Sequence, residues 1–160
     1  MITAMGDVMR EAYKRNWITT RDGNCAVKIK GSNTIYLTPS GIRKTLICPE
    51  MIVRLTLGEE LQFHTAMNLT ATGEWDMHYR ILKDATTSTS SVHLHPPNIV
   101  AAMYAGWDLQ HIAKEFPEVS RYTKVGPTVP VLPVTSNILA VSTFKAMTDS
   151  KTDRIMFDIV

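Results

Sequence analysis

The chain has 160 residues, with 17 Lys and Arg against 15 Asp and Glu, for a formal charge of +2. This length suits one ordinary domain, which at this size buries about 70% of its unfolded surface and needs no staples. So even a charge balance argues against nucleic acid or an anionic membrane as partner. An apolar share of 44% and a charged share of 20% describe a soluble globular protein. Cys25 and Cys48 form no CxxC pair, so a disulfide framework is not expected and a reducing, cytoplasmic setting is. No apolar run approaches the roughly 20 residues of a membrane span. The first seven residues carry Asp7 where a signal peptide would be basic.

Met5, Val8, Met9, Ala12 and Tyr13 recur at the spacing of one helix face, with Thr3 as a possible cap and a stop near Asn16. Residues 17–20 are β-prone, and Arg21-Asp22-Gly23-Asn24 is turn chemistry. Residues 26–30 and 34–38 read as two strands of a hairpin turned by Gly31-Ser32-Asn33. Pro39-Ser40-Gly41 breaks the second strand. Short helical turns are expected at 42–46 and from Pro49, then a strand over 51–55 and mostly loop over 58–73. A helix should run from Glu74 to Leu82, burying Trp75, Met77, His78, Ile81 and Leu82. A strand over 88–95 leads into Pro96-Pro97, followed by helices over 98–104 and 109–116. Residues 128–134 should be extended but irregular, since Pro130 and Pro133 cannot donate to a ladder. A helix over 138–147 and a final strand over 154–160 complete the reading. Hairpin-linked strands mixed with helices indicate α/β or α+β with a largely antiparallel sheet.

His93-Leu94-His95 is the sharpest chemical feature. Residues two apart on a strand share a face, so both imidazoles project together and can offer two nitrogens to one metal. Taken alone, such a pair is more often polar surface or a satisfied core group. Glu74 opens a helix, where a carboxylate meets the favourable end of the dipole; capping alone would explain it, and a general base is the functional alternative. His78 lies one turn on and can support Glu74. The loops Gly23-Asn24 and Thr38-Pro39-Ser40-Gly41 offer backbone N–H groups that can cradle an anion, although each alone is an ordinary turn. His64 and His111 have no local partner and read as surface residues.

Gly23-Asn24, Thr38-Pro39-Ser40-Gly41, Gly73-Glu74-Trp75 with Met77-His78, and Val92-His93-Leu94-His95 stand in one order along the chain. Phe116-Pro117-Glu118-Val119 and the stretch from Val125 to Val131 follow. In this order and approximate spacing the chain resembles the class II aldolase/adducin family, from about Met9 to Val160. The resemblance implies an α/β fold, a three-layer α/β/α sandwich around a mostly antiparallel sheet. It also implies a cyclic homotetramer with active sites between subunits.

By the same resemblance, His93 and His95 would bind one divalent cation, most often zinc, and Glu74 would be the catalytic acid/base. Gly23, Asn24, Ser40, Gly41, Thr72 and Gly73 would hold the phosphate of a small sugar-phosphate substrate. The implied activity is aldolase-type cleavage or formation of a C–C bond in a ketose phosphate, through an enediolate that a divalent Lewis acid stabilises. No Schiff-base lysine is required. A pentulose-phosphate 4-epimerase, a dehydratase and a non-catalytic adducin-like scaffold are the alternatives. Thr72-Gly73 stands where many members carry two serines. The family's third metal histidine follows a strand resembling residues 154–160, so the 160-residue chain is expected to lack that ligand and the usual C-terminal segment, and to be weakly active or inactive.

Overall fold

Asn24–Lys28 (β1) and Thr34–Leu37 (β2) form the expected antiparallel hairpin, with Ala26 opposite Leu37 and Val27 opposite Tyr36. Around it, the computed structural model builds a five-stranded antiparallel sheet in the order β4-β3-β2-β1-β5. The remaining strands are Val53–Thr56 (β3), Gln62–His64 (β4) and Ser90–His93 (β5). The structure describes residues 2–84, 89–152 and 154–160 and falls into two units, Met1–Pro97 and Asn98–Val160.

In the first unit both faces of the sheet are covered, which is why Asn24, Cys25, Ala26 and Val27 are all buried without alternation. On one face lies helix α1 (Ile2–Lys14), whose Met5, Met9 and Ala12 join Cys25, Val27 and Ile18 in one core. Strand pairing aligns Ala26, Leu37 and Val53 in a row, and Lys28, Ile35 and Leu55 in the next. These rows point to the other face, beneath helix α2 (Trp75–Leu82), which buries Met77, His78, Ile81 and Leu82. The first unit is thus a helix–sheet–helix sandwich, the α/β/α layering expected.

The end of α1 sets the path of the next loop. Asn16 sits in the left-handed region at φ 57°; its N–H bonds the Tyr13 carbonyl, and the Trp17 N–H reaches back to that of Ala12. This pair of bonds is a Schellman cap, which asparagine tolerates. It directs residues 17–23 across the end of the sheet. Thr3 lies inside the helix rather than capping it, since α1 already begins at Ile2.

Other expectations shift by a few residues. The turns expected after Pro39 and at Pro49 are short 3-10 segments, Lys44–Leu46 and Pro49–Met51, so Met51 precedes β3. Strand β4 falls where loop was expected; all three of its residues are exposed, as an edge strand allows. Ser88, placed at the start of the β5 strand, lies outside the described residues. The strand itself ends at His93.

The second unit is helical: α3 (Pro97–Tyr104), α4 (Leu109–Glu115), α5 (Pro117–Tyr122) and α6 (Asn137–Met147). Asp108 and Ser136 cap α4 and α6, each accepting the backbone N–H of the third residue of its helix. Helix α5 was not expected; it starts on Pro117, a residue suited to a first turn because its missing N–H is unpaired there anyway. Residues 154–160 form no strand. They make only isolated bridges, Ile155 with Thr148 and Ile159 with Val125. The two bridges lead to different segments, so no continuous ladder develops. Apolar side chains here are widely exposed, Val131 at 88% and Tyr104 at 82%. Among the described residues, no helix is long and apolar enough to cross a membrane.

Candidate metal and acid-base site

His93 ends β5 opposite Asn24 on β1, so its side chain lies on the α2 face. His95 is two residues on, beyond the strand, where its N–H bonds the Trp17 carbonyl at 2.8 Å and keeps the chain extended. The two rings therefore meet as strand geometry predicts: their Nε2 atoms lie 2.7 Å apart. Each Nδ1 faces a carboxylate. His93 Nδ1 is 2.5 Å from Glu74 Oε2, and His95 Nδ1 is 3.1 Å from Asp22 Oδ2.

A carboxylate on Nδ1 holds the proton there and turns the Nε2 lone pair outward, the arrangement by which proteins orient imidazole toward a metal. Two nitrogens held at roughly 2.0–2.1 Å from one tetrahedral zinc lie about 3.3 Å apart. The His93 and His95 rings would thus need to part by only about half an ångström. Their nitrogen chemistry fits a borderline divalent ion. Among the described residues, no set of three His, Cys, Asp or Glu side chains gathers around one point.

Glu74 occupies the N-cap position of α2, yet its side chain does not cap the helix. Capping, the simplest reading of a first-turn acid, is therefore not what this carboxylate does. Instead Oε2 accepts from His93 Nδ1 and from Asn24 Nδ2 at 2.8 Å. Its side chain is 12% exposed, enough to be shielded and still reachable. Burial pushes the Glu74 pKa up, but the hydrogen bond and charge of His93, with the Asn24 amide, outweigh it and hold the pKa below the usual value. At Asp22 burial likewise opposes ionisation, and the bonds from Thr19 and His95 win, lowering its pKa.

Behind Glu74 lies a buried polar chain. Asn24 accepts at Oδ1 from His78 Nε2, 2.5 Å away, and His78 Nδ1 faces the Ser91 hydroxyl at 2.9 Å. His78 is fully buried, and burial together with the nearby His93 pushes its pKa down to about 4 despite the opposing Glu74 charge. It is neutral at pH 7, with its single N–H toward Asn24 and Nδ1 accepting from Ser91. His78 thus supports Glu74 through Asn24, not by a direct side-chain bond.

The turn loops converge on the same end of the sheet. Pro39 bridges Ala71, Ser40 N–H bonds the Thr70 carbonyl and Thr72 N–H bonds the Thr38 carbonyl, so residues 38–41 run beside Thr72, Gly73 and Glu74. Arg21 Nη1 donates to the Gly41 carbonyl at 2.7 Å, tying that loop to Gly23-Asn24. Ser40, Gly41 and Gly73 are exposed, whereas Gly23, Asn24 and Thr72 are buried. The Asn24 side chain is engaged on both its oxygen and its nitrogen. Gly23 adopts φ 71°, and a Cβ there would stand 2.4 Å from Ile18 and 3.2 Å from the His93 carbonyl. His64 and His111 are exposed, as expected. Asp22 and Arg21 were read only as turn residues, and their partners lie too far along the chain for spacing to reveal them.

Comparison with known proteins agrees with this architecture. The family model for the class II aldolase and adducin N-terminal domain matches residues 3–156, and the chain belongs to that family. The class II aldolases of that family are generally dependent on a divalent metal. Among solved structures, an L-fuculose 1-phosphate aldolase is similar at 16% identity and TM-score 0.68, over 88% of this chain and 64% of its own. A sugar-phosphate aldolase from Thermotoga maritima is similar at 18% identity and TM-score 0.73, over 91% and 76%. YgbL from Escherichia coli, named as an aldolase/epimerase/decarboxylase candidate, is similar at 18% identity and TM-score 0.74, over 88% and 66%. The chain thus spans 64% of the fuculose-phosphate aldolase. At such identities the likeness shows the fold. No curated protein matches the chain by sequence comparison.

Proposed function

We propose that this chain is the aldolase-type lyase of a metal-dependent site, acting on a small ketose phosphate. The observation that carries the reading is the facing pair of His93 and His95 Nε2 atoms beside the Glu74 carboxylate. In this reading His93 and His95 hold a divalent ion, with zinc suited to two imidazoles. When bound, the ion supplies Lewis-acid stabilisation of the negative charge left on a carbonyl oxygen.

Glu74 takes the proton from the carbon acid or its hydroxyl, and returns it in the reverse direction. Asn24, backed by His78, fixes the carboxylate by bonding Oε2, so the proton is received in one geometry. Of the loop residues Gly23, Ser40, Gly41, Thr72 and Gly73, the exposed three would take the phosphate, on the Ser40 hydroxyl and the Gly41 and Gly73 N–H groups, since the Ser40 and Thr72 N–H groups are bonded to Thr70 and Thr38. The reading extends to a homotetramer, on the strength of the family resemblance alone.

The test is an aldol-cleavage assay of the zinc-loaded protein against a panel of ketose phosphates, with Glu74→Gln as comparison. Glu74→Gln keeps the shape but cannot accept the proton, so turnover should fall roughly 10²–10⁴-fold while the fold is retained. Unchanged turnover would show that another group moves the proton. An epimerase, as the naming of YgbL suggests for that relative, would instead convert a pentulose phosphate without releasing a triose fragment.

A further inference from the structure

Beyond Glu74, the site contains a second carboxylate whose place the aldolase reading does not use. Asp22 lies in the loop that the α1 cap directs across the end of the sheet, 73 residues from His95 in sequence. Its two oxygens do different things. Oδ1 accepts the Thr19 N–H, while Oδ2 faces His95 Nδ1 at 3.1 Å. The loop is fixed from both sides, because the Trp17 carbonyl takes the His95 N–H and Gly23 packs against Ile18.

We infer that Asp22 is a positioning residue: its carboxylate holds the His95 ring with the proton on Nδ1, so that Nε2 offers its lone pair toward His93. The inference rests on the proposal that His93 and His95 share a divalent ion, and it supplies His95 with the orienting partner that Glu74 gives to His93. Without Asp22 the exposed His95 ring, 44% accessible, keeps only its contact with His93, which can be met by either tautomer. The Nε2–H tautomer turns an N–H toward His93 in place of the lone pair. Loss of such an orienting partner reduces metal affinity by roughly 10–100-fold in metal sites generally.

The experiment uses the full chain as wild type, Asp22→Asn and Asp22→Ala. Long-range proton–nitrogen NMR of the metal-free proteins at about pH 8, above the ordinary imidazole range, reads the His95 tautomer. Competition with a chromophoric chelator reads zinc affinity. Wild type should show His95 protonated on Nδ1, and Asp22→Ala should move the population toward Nε2–H. Zinc affinity should fall roughly 10–100-fold in Asp22→Ala. Asp22→Asn keeps an acceptor oxygen without the charge, so it should lie between the two; it also covers the case in which alanine loosens the loop. An unchanged His95 tautomer in both variants overturns the inference, whatever happens to affinity. Should the wild type bind no zinc, the metal proposal fails, and the tautomer shift alone decides the role of Asp22.

Discussion

His93 Nε2 and His95 Nε2 face each other at 2.7 Å, each ring held from behind by a carboxylate, Glu74 on one and Asp22 on the other. With the proton of each ring held on Nδ1 by its carboxylate, the two Nε2 lone pairs face one point, where a divalent ion between the rings would satisfy both. Zinc should therefore bind once per chain, and His93→Ala or His95→Ala should each lower the bound metal sharply, because a tetrahedral ion has few ligands to lose. His64→Ala and His111→Ala, both at exposed positions, should leave it unchanged. Metal analysis after dialysis checks this; equal zinc in wild type and the His93/His95 double variant would remove the basis of the site.

The His78 pKa of about 4 makes a statement about stability. An unfolded histidine titrates near 6.5, so between about pH 6.5 and 4 the unfolded chain binds a proton that the folded chain refuses. Stability should therefore fall as pH drops through that window, by on the order of 3 kcal/mol from this residue. The depressed carboxylates work lower down: Glu74 and Asp22 lose their contribution as pH falls below ordinary carboxylate values. Urea unfolding at a series of pH values measures the slope, and His78→Gln, which has nothing to titrate, should flatten it between pH 4 and 6.5. A slope unchanged by the substitution would mean that other groups govern the window.

Cysteine chemistry offers a check on the α1 face of the core. Cys25 is 2% exposed and burial pushes its thiol up to about 12, against only partial relief from Lys44, so little thiolate exists at neutral pH. Cys48 is part-exposed. A thiol reagent should label Cys48 first in the native protein and reach Cys25 only after denaturation. Rapid labelling of both in the native state would show that α1 does not stay packed over β1.

Much of the site could be read in the chain because it depends on local periodicity. The period of two placed His93 and His95 on one face, although the strand ends at His93 and a single bond to Trp17 keeps His95 in line. The hairpin's turn, its second strand and α2 were equally legible, whereas β1, buried without alternation, begins two residues before the strand expected over 26–30. Strand β4 was not, because all three of its residues are exposed and leave no alternation to detect. Residues 154–160 look like a strand by composition but find no continuous partner in the second unit. Glu74 could not be distinguished from a helix cap by position alone. Only its tertiary partners, Asn24 and His93, decide between the two, and the same holds for Asp22 and His95.

Gly23 and Gly41 give a matched pair for the last prediction, since both adopt φ 71°. Left-handed backbone costs an L residue roughly 1–2 kcal/mol, so both Gly→Ala substitutions carry that penalty. Their surroundings differ. A Cβ on Gly41 meets nothing within 4 Å, whereas one on Gly23 would lie 2.4 Å from Ile18 Cγ2 and 3.2 Å from the His93 carbonyl. Crowding of that kind in a packed site typically adds another 1–3 kcal/mol or so. Gly41→Ala should thus cost about 1–2 kcal/mol and Gly23→Ala about 2–5 kcal/mol in urea unfolding. The second substitution should also lower zinc affinity, because Ile18 cannot move without disturbing the α1 core and the remaining space is bounded by the His93 backbone. A Cβ on Gly41 touches neither histidine, so Gly41→Ala should leave zinc binding intact. Equal losses of stability in the two variants would show that the Gly23 loop yields, and that the close approach of Gly23 to His93 does not hold that histidine in place.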